Sequence, residues 1–277
     1  MKILNCILSQ ILHKKLLLIF FFLIFGNKIV ALENTYEFEI NGNNNTDKEV
    51  ILSIIDKIPD DLSEEYSNYL LNELNKSGLF KDIKIKIDNN KYYIDVIEYP
   101  IINKIYFDGN ERFKDEELVK IAEELNFDIY NDYNTKNFIN ELKNIYSSFG
   151  YNNIIINLSS EISDQNFANI IIDITENKIT KIKSIKFRGN SIITSSDLNE
   201  VIKSKIKKLT NIFANNNFKP AQVETDKQRL KSFYKDKGYA DISIDYEIEF
   251  FENNSVVVYF NINEGMYYEL ENVNFAN

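Results

Sequence analysis

Seven glycines follow the first 31 residues of this chain, and six of them alternate between two kinds of neighbourhood. Gly42, Gly109 and Gly189 each close a short run of alternating apolar residues and precede Asn, as in Ile105-Tyr106-Phe107-Asp108-Gly109-Asn110. Such a run reads as a strand leaving through a tight turn. Gly78, Gly150 and Gly238 each end a stretch with helical spacing and precede a bulky residue, where glycine accepts the left-handed backbone of a helix C-cap. Two classes alternating three times mean an internal repeat, which constrains the fold more than length does. Three complete copies follow, at 35–100, 101–177 and 178–265.

Within each copy the hydrophobic period switches twice. After the Gly-Asn turn a first helix is expected, with Leu118, Ile121, Ala122 and Leu125 on one face in copy two. Thr46 with Glu49, and Thr194 with Asp197, read as capping boxes; Lys114 and Asp115 are the weaker counterpart. A second helix follows, clearest in Phe138, Leu142, Ile145, Tyr146 and Phe149. An alternating strand then leads through a polar turn to a more continuously apolar one, such as Ile170-Ile171-Ile172-Asp173-Ile174. The unit is β-α-α-β-β, an α+β fold in which two helices cover one face of a three-stranded sheet. The apolar last strand is expected in the centre and the charged middle strand at an edge. Pro100 marks the first joint, and Pro59 and Pro220 fall in connections between helices. Residues 266–277 resemble the opening strand of a further copy, so the chain reads as the front part of a longer array.

Composition narrows the chemistry. The one Cys and the one His, Cys6 and His13, both lie in residues 1–31, a Lys-bearing start followed by an apolar run from Leu16 to Phe25 and by Ala31. This reads as a signal peptide, its apolar core being too short to span a bilayer. Beyond it no Cys or His remains, which excludes thiol nucleophiles, histidine triads, disulfides and thiolate or imidazole metal sites. Four lysines and no acid leave with it, so 28 basic residues face 42 acidic ones, a formal charge of −14. Such a surface repels phosphate backbones, and no nucleic-acid partner is expected.

The opening strands ending in Gly-Asn, the Gly-Tyr step after the second helix and the closing Glu98, Glu176 and Glu264 resemble POTRA domains, the polypeptide-transport-associated modules of Gram-negative bacteria. The most specific stretch runs from Arg229 to Asp241 and contains Phe233-Tyr234-Lys235-Asp236-Lys237-Gly238-Tyr239. Residues 71–82 resemble the same part of a first POTRA domain. The resemblance covers 35–277. Three copies and the start of a fourth behind a signal peptide are most similar to the outer-membrane protein assembly factors, in which several such domains precede a transmembrane β-barrel.

That resemblance implies a scaffold at the periplasmic face of the outer membrane with no bond chemistry and no cofactor. Its implied partners are unfolded outer-membrane protein precursors, accessory assembly lipoproteins and the membrane itself, reached through a C-terminal barrel. An exposed edge strand can take up an extended peptide as one further strand. The candidate edge is the middle strand of copy three: Asp241, Ile242, Ser243, Ile244, Asp245, Tyr246, Glu247, Ile248 and Glu249. Lys81 to Ile87 is the second choice. Lys203, Lys205, Lys207 and Lys208, between the helices of copy three, are read as a solvated end or as a contact to anionic lipid. Three other readings stay open: another outer-membrane translocation relative, an inner-membrane-anchored division module, and a carboxylate-dependent hydrolase using Glu123-Glu124, Asp60-Asp61 or Glu64-Glu65.

Overall fold

The structure, a computed structural model, describes residues 37–57, 62–88, 91–207 and 215–269. The chain divides into two compact units, 1–97 and 98–277. The first holds β1 (Glu37–Asn41), α1 (Lys48–Ile54), α2 (Glu64–Lys76), β2 (Phe80–Asp88) and β3 (Lys91–Glu98). The second holds two repeats: β4 (Ile101–Asp108), α3 (Asp115–Glu124), α4 (Asp132–Phe149), β5 (Ile155–Ile162) and β6 (Phe167–Thr175), then β7 (Lys181–Arg188), α5 (Ser195–Val201), α6 (Pro220–Asp236), β8 (Ser243–Phe251) and β9 (Ser255–Asn263).

Each sheet has the same order, with the last strand of the repeat between the first and the middle ones. The last strand runs parallel to the first and, in repeats two and three, antiparallel to the middle one. This is the expected placement. The reason is visible in the sequence of β9, where Val256, Val257, Val258, Phe260 and Ile262 are all buried and could not face water on an edge. Three separate cores result, one per repeat, each built from helix residues against the central strand. Leu70 and Leu74 meet Tyr92 and Ile94; Phe138, Leu142 and Tyr146 meet Ile170 and Ile172; Val223, Leu230 and Tyr234 meet Val258 and Phe260.

Gly109 shows why its class of glycine recurs. Its φ is +76°, and a Cβ there would stand 2.1 Å from the Ile174 carbonyl oxygen of the central strand. The turn therefore needs both the left-handed conformation and the missing side chain, because two backbones touch.

Several local expectations are corrected. The first helix of repeat one is capped at Asp47, not Thr46, and no side-chain bond is made there. Thr194 does cap α5, its hydroxyl accepting from the Asp197 amide at 3.2 Å. Copy two uses the other half of the box, with the Lys114 amide donating to Glu117 at 2.9 Å. Pro220 is the first residue of α6 rather than part of the connection, a position where its absent amide proton is not needed. Pro59, Asp60, Asp61, Lys208 and the presequence 1–31 lie outside the described residues. Of 266–277, residues 266–269 are described and form no strand, and the rest lie outside.

Candidate functional site

The two outer edges of a sheet in this fold are not alike. In repeat two the connection between the helices folds over the start of β4: Ile102 donates its amide to the Asp128 carbonyl at 2.8 Å and Tyr130 donates to Pro100 at 2.8 Å. In repeat three the same cover lies on β7, with the Ile182 amide on Asn216 at 2.7 Å and the Phe218 amide on Thr180 at 2.8 Å. The Asn216 side chain also donates to the Ile182 carbonyl at 3.1 Å. Middle strands β5 and β8 stand at the opposite ends of their sheets and pair only with β6 and β9 among the described residues. They carry the open edges.

The β8–β9 hairpin fixes which groups of β8 face outward. Its three-residue loop is closed by the Asn254 amide on the Phe251 carbonyl at 3.1 Å, with Asn254 left-handed at φ +62°. A loop of this kind makes Phe251 and Ser255 a hydrogen-bonded pair, as Ser163 and Phe167 are in repeat two, where Ser163 donates to Phe167 at 2.9 Å. Antiparallel ladders alternate, so the amides and carbonyls of Ile244, Tyr246, Ile248 and Phe250 point to the open side. Their side chains share the helix-covered face: Ile244 is 3% exposed, Tyr246 and Ile248 are half-buried, and Phe250 at the rim is 59% exposed. Asp245, Glu247 and Glu249 are exposed on the other face.

The sequence-derived window is thus shifted. The strand begins at Ser243 and runs to Phe251; Asp241 sits in the preceding turn, where its carboxylate accepts from the Tyr268 hydroxyl, and Ile242 is buried just ahead of the strand. The second-choice segment falls within β2, also an edge.

Tertiary structure adds a face that sequence reasoning missed. Register places Lys186, Tyr259 and Glu247 in one row across β7, β9 and β8. The Arg188 guanidinium lies 3.8 Å from the centre of the Tyr259 ring and reaches Glu247 at 3.3 Å. The Tyr259 hydroxyl donates to Glu249 at 2.7 Å. Basic alternation in β7 and acidic alternation in β8 were its traces in the sequence, but only pairing through β9 joins them.

Two buried carboxylates hold the scaffold beneath. Glu264 accepts from the Ile192 amide at 3.1 Å and from the Tyr234 hydroxyl at 3.0 Å, tying the closing Glu to the turn after β7. Glu176 does the same for the turn after β4, accepting from the Arg112 amide at 2.7 Å. Burial, and then the neighbouring carboxylate, push the Tyr146 and Tyr234 phenols well above the usual tyrosine range. Asp226, fully buried and not singled out by the sequence, accepts from the amides of Lys203 and Ser204 at 2.8 Å each and pairs with Arg229 at 2.7 Å. It pins the start of the connection that ends over β7. Of the lysines read there, Lys205 caps α5, donating to the Ile202 carbonyl at 2.7 Å.

Repeats two and three are joined by backbone. The Thr180 amide donates to the Gly150 carbonyl at 2.9 Å, and the Asn152 side chain donates to the Phe218 carbonyl at 2.9 Å. Thirty residues after Gly238 the same bond recurs, from the Tyr268 amide to the Gly238 carbonyl at 2.9 Å. Glu64, Glu65, Glu123 and Glu124 are exposed on helices. No group of three or more metal-ligating side chains and no helix long and apolar enough to cross a membrane occur among the described residues.

The family model for POTRA, surface antigen variable number repeat, matches residues 100–177 and 180–265, which are repeats two and three as folded. The chain belongs to the POTRA family. Among curated relatives it is similar to the outer membrane protein assembly factor BamA of Neorickettsia risticii (strain Illinois), 24% identical over 253 residues, covering 91% of this chain and 34% of that protein. It is also similar to the BamA of Buchnera aphidicola subsp. Acyrthosiphon pisum, 24% identical over 261 residues, covering 91% and 42%. The POTRA chain therefore spans between about a third and two fifths of the length of these relatives. Solved structures similar to it include Haemophilus influenzae BamA POTRA3-5, at 14% identity, 81% and 94% coverage and a TM-score of 0.42. POTRA1-3 of Omp85 from Anabaena matches at 14% identity, 82% and 93% coverage and a TM-score of 0.38.

Proposed function

We propose that this POTRA array is the periplasmic scaffold of an outer-membrane β-barrel assembly machine. It takes up extended, still unfolded outer-membrane protein segments, and accessory lipoproteins, by adding them as a strand to the open edge of β8, with β2 as a second edge. It carries out no bond chemistry, reaches its place through the presequence 1–31, and works beside an outer-membrane barrel. The reading is supported above all by the inequality of the edges: the connection between the helices covers β7, while β8 pairs only with β9 among the described residues and turns its outward amides and carbonyls in the order an incoming strand needs.

Proline tests it, since it removes one outward amide. Ile244, the obvious target, is buried, so proline there would also empty the core. Phe250→Pro deletes an outward amide at an exposed position. Binding of an unfolded outer-membrane protein, followed by fluorescence anisotropy on the full chain, should weaken at least about fivefold, while the melting temperature stays within a few degrees. Unchanged binding would remove β8 as the site.

A further inference from the structure

We propose that the β8 edge selects by charge, preferring an extended segment that alternates basic with apolar residues. This rests on the edge reading above and names the chemistry of its occupant.

A strand added beside β8 meets two different rows. On the helix-covered face its side chains lie next to Ile244, Tyr246 and Ile248, which asks for apolar residues. On the other face they lie next to Asp245, Glu247 and Glu249, with about 5 Å between opposed Cβ atoms. Acidic residues there would face like charge, and basic ones would be paired.

From the β9 side the fold already completes this row with the same chemistry. Arg188 crosses the Tyr259 ring to reach Glu247, and the Tyr259 hydroxyl donates to Glu249. Among the described residues Arg188 makes the only ion pair to the row, and that pair is exposed, so a second cation from the open side can share or replace it.

The three middle strands differ in this one respect. At the positions matching Asp245, Glu247 and Glu249, β5 carries Asn157, Ser159 and Glu161, while the corresponding face of β2 carries Asp82, Lys84, Lys86 and Asp88, with Lys84 paired to Asp82 at 3.6 Å. One fold thus presents an acidic open edge beside two whose charges are few or mixed. Charge there is a property of the individual repeat, since the backbone that pairs is the same in all three.

The test uses the full chain and four nine-residue peptides with blocked ends: Lys alternating with Val, Ser alternating with Val, Glu alternating with Val, and the Lys peptide N-methylated on every amide so that neither of its edges can pair as a strand. Anisotropy gives affinity and amide NMR shifts give location. The Lys peptide should bind at β8 about tenfold tighter than the Ser peptide, as three opposite-charge neighbours allow. The advantage should fall in 1 M NaCl and reverse toward a Glu-Val peptide in Glu247→Lys/Glu249→Lys. Equal affinity of Lys and Ser peptides at β8 would overturn charge selection while leaving the edge intact. Absence of any β8 shift would overturn both readings. Equal binding of the N-methylated peptide would assign the attraction to general surface charge and overturn the proposal. Sedimentation that reports a second copy seated on β8 through its own β2 would replace the occupant named here.

Discussion

β7 and β8 flank the same central strand, yet the fold treats them in opposite ways. The outer margin of β7 is met by the Asn216-to-Phe218 segment, whose connection is pinned at its start by Asp226 and at its end by the joint with repeat two. Nothing comparable lies on β8 among the described residues. The contrast teaches that an exposed strand edge here is a choice made by the chain, since an uncommitted margin is a liability that folds usually cover or charge. Covering β7 stabilises the repeat; leaving β8 bare contributes nothing to folding and keeps backbone available. Changes on the covered side should therefore register as stability, and changes on the open side as binding.

The largest effect is expected at Asp226. Replacing it by Ala leaves the Lys203 and Ser204 amides and the Arg229 guanidinium without their buried partner, and should destabilise the 98–277 unit by about 3 kcal/mol in urea unfolding. If β8 binding survives at a temperature where Asp226→Ala remains folded, the two edges are independent. Gly150→Ala comes next. Its φ of +102° and a Cβ 2.9 Å from the Ile179 methyl should cost about 2 kcal/mol and loosen the joint, seen as faster amide exchange at Thr180.

Tyr234→Phe is smaller, about 1 kcal/mol at neutral pH, because one hydrogen bond to Glu264 is lost. It also carries a pH signature. The folded state holds the Tyr146 and Tyr234 phenols above their unfolded value of about 10, so the unfolded chain releases its protons first as pH rises. That contribution to stability is complete below about pH 10 and is lost as the pH climbs through the raised folded values. Melting temperature should drop between pH 9.5 and 11, and the double variant Tyr146→Phe/Tyr234→Phe should flatten the drop. Repeat one has Leu74 in the place of these tyrosines, four residues before its own cap glycine, but burial holds the Tyr66 phenol of the 1–97 unit above the usual tyrosine range, so unfolding of that unit should show an alkaline loss of its own. Smallest in stability is Phe250→Pro, below about 1 kcal/mol, since its amide faces the open side. A loss there as large as at Asp226 would erase the distinction between covered and open edges.

Much of this fold could be read from the letters, and the parts that could not share a cause. Gly109 and Gly150 announce themselves because a left-handed backbone is a local requirement. The continuous apolar run of β9 placed that strand in the centre, since burial on two faces needs no knowledge of neighbours. Thr46 misled because Ser, Thr and Asp compete for a cap within one or two residues, and Asp47 took it. The open edge was legible as a charged alternating strand, but its start was set two residues early.

Asp226 was invisible because the two amides it accepts from lie 22 and 23 residues away, across a connection of no fixed period. The pairing of Arg188 with Glu247 depends on the register of both strands with β9. Sequence by itself therefore determined the repeat, its element order and the central strand, because these follow from backbone conformation and from burial along one segment. Tertiary structure alone decided which edge is covered and which charges share a row, because those are relations between segments that local periodicity does not encode.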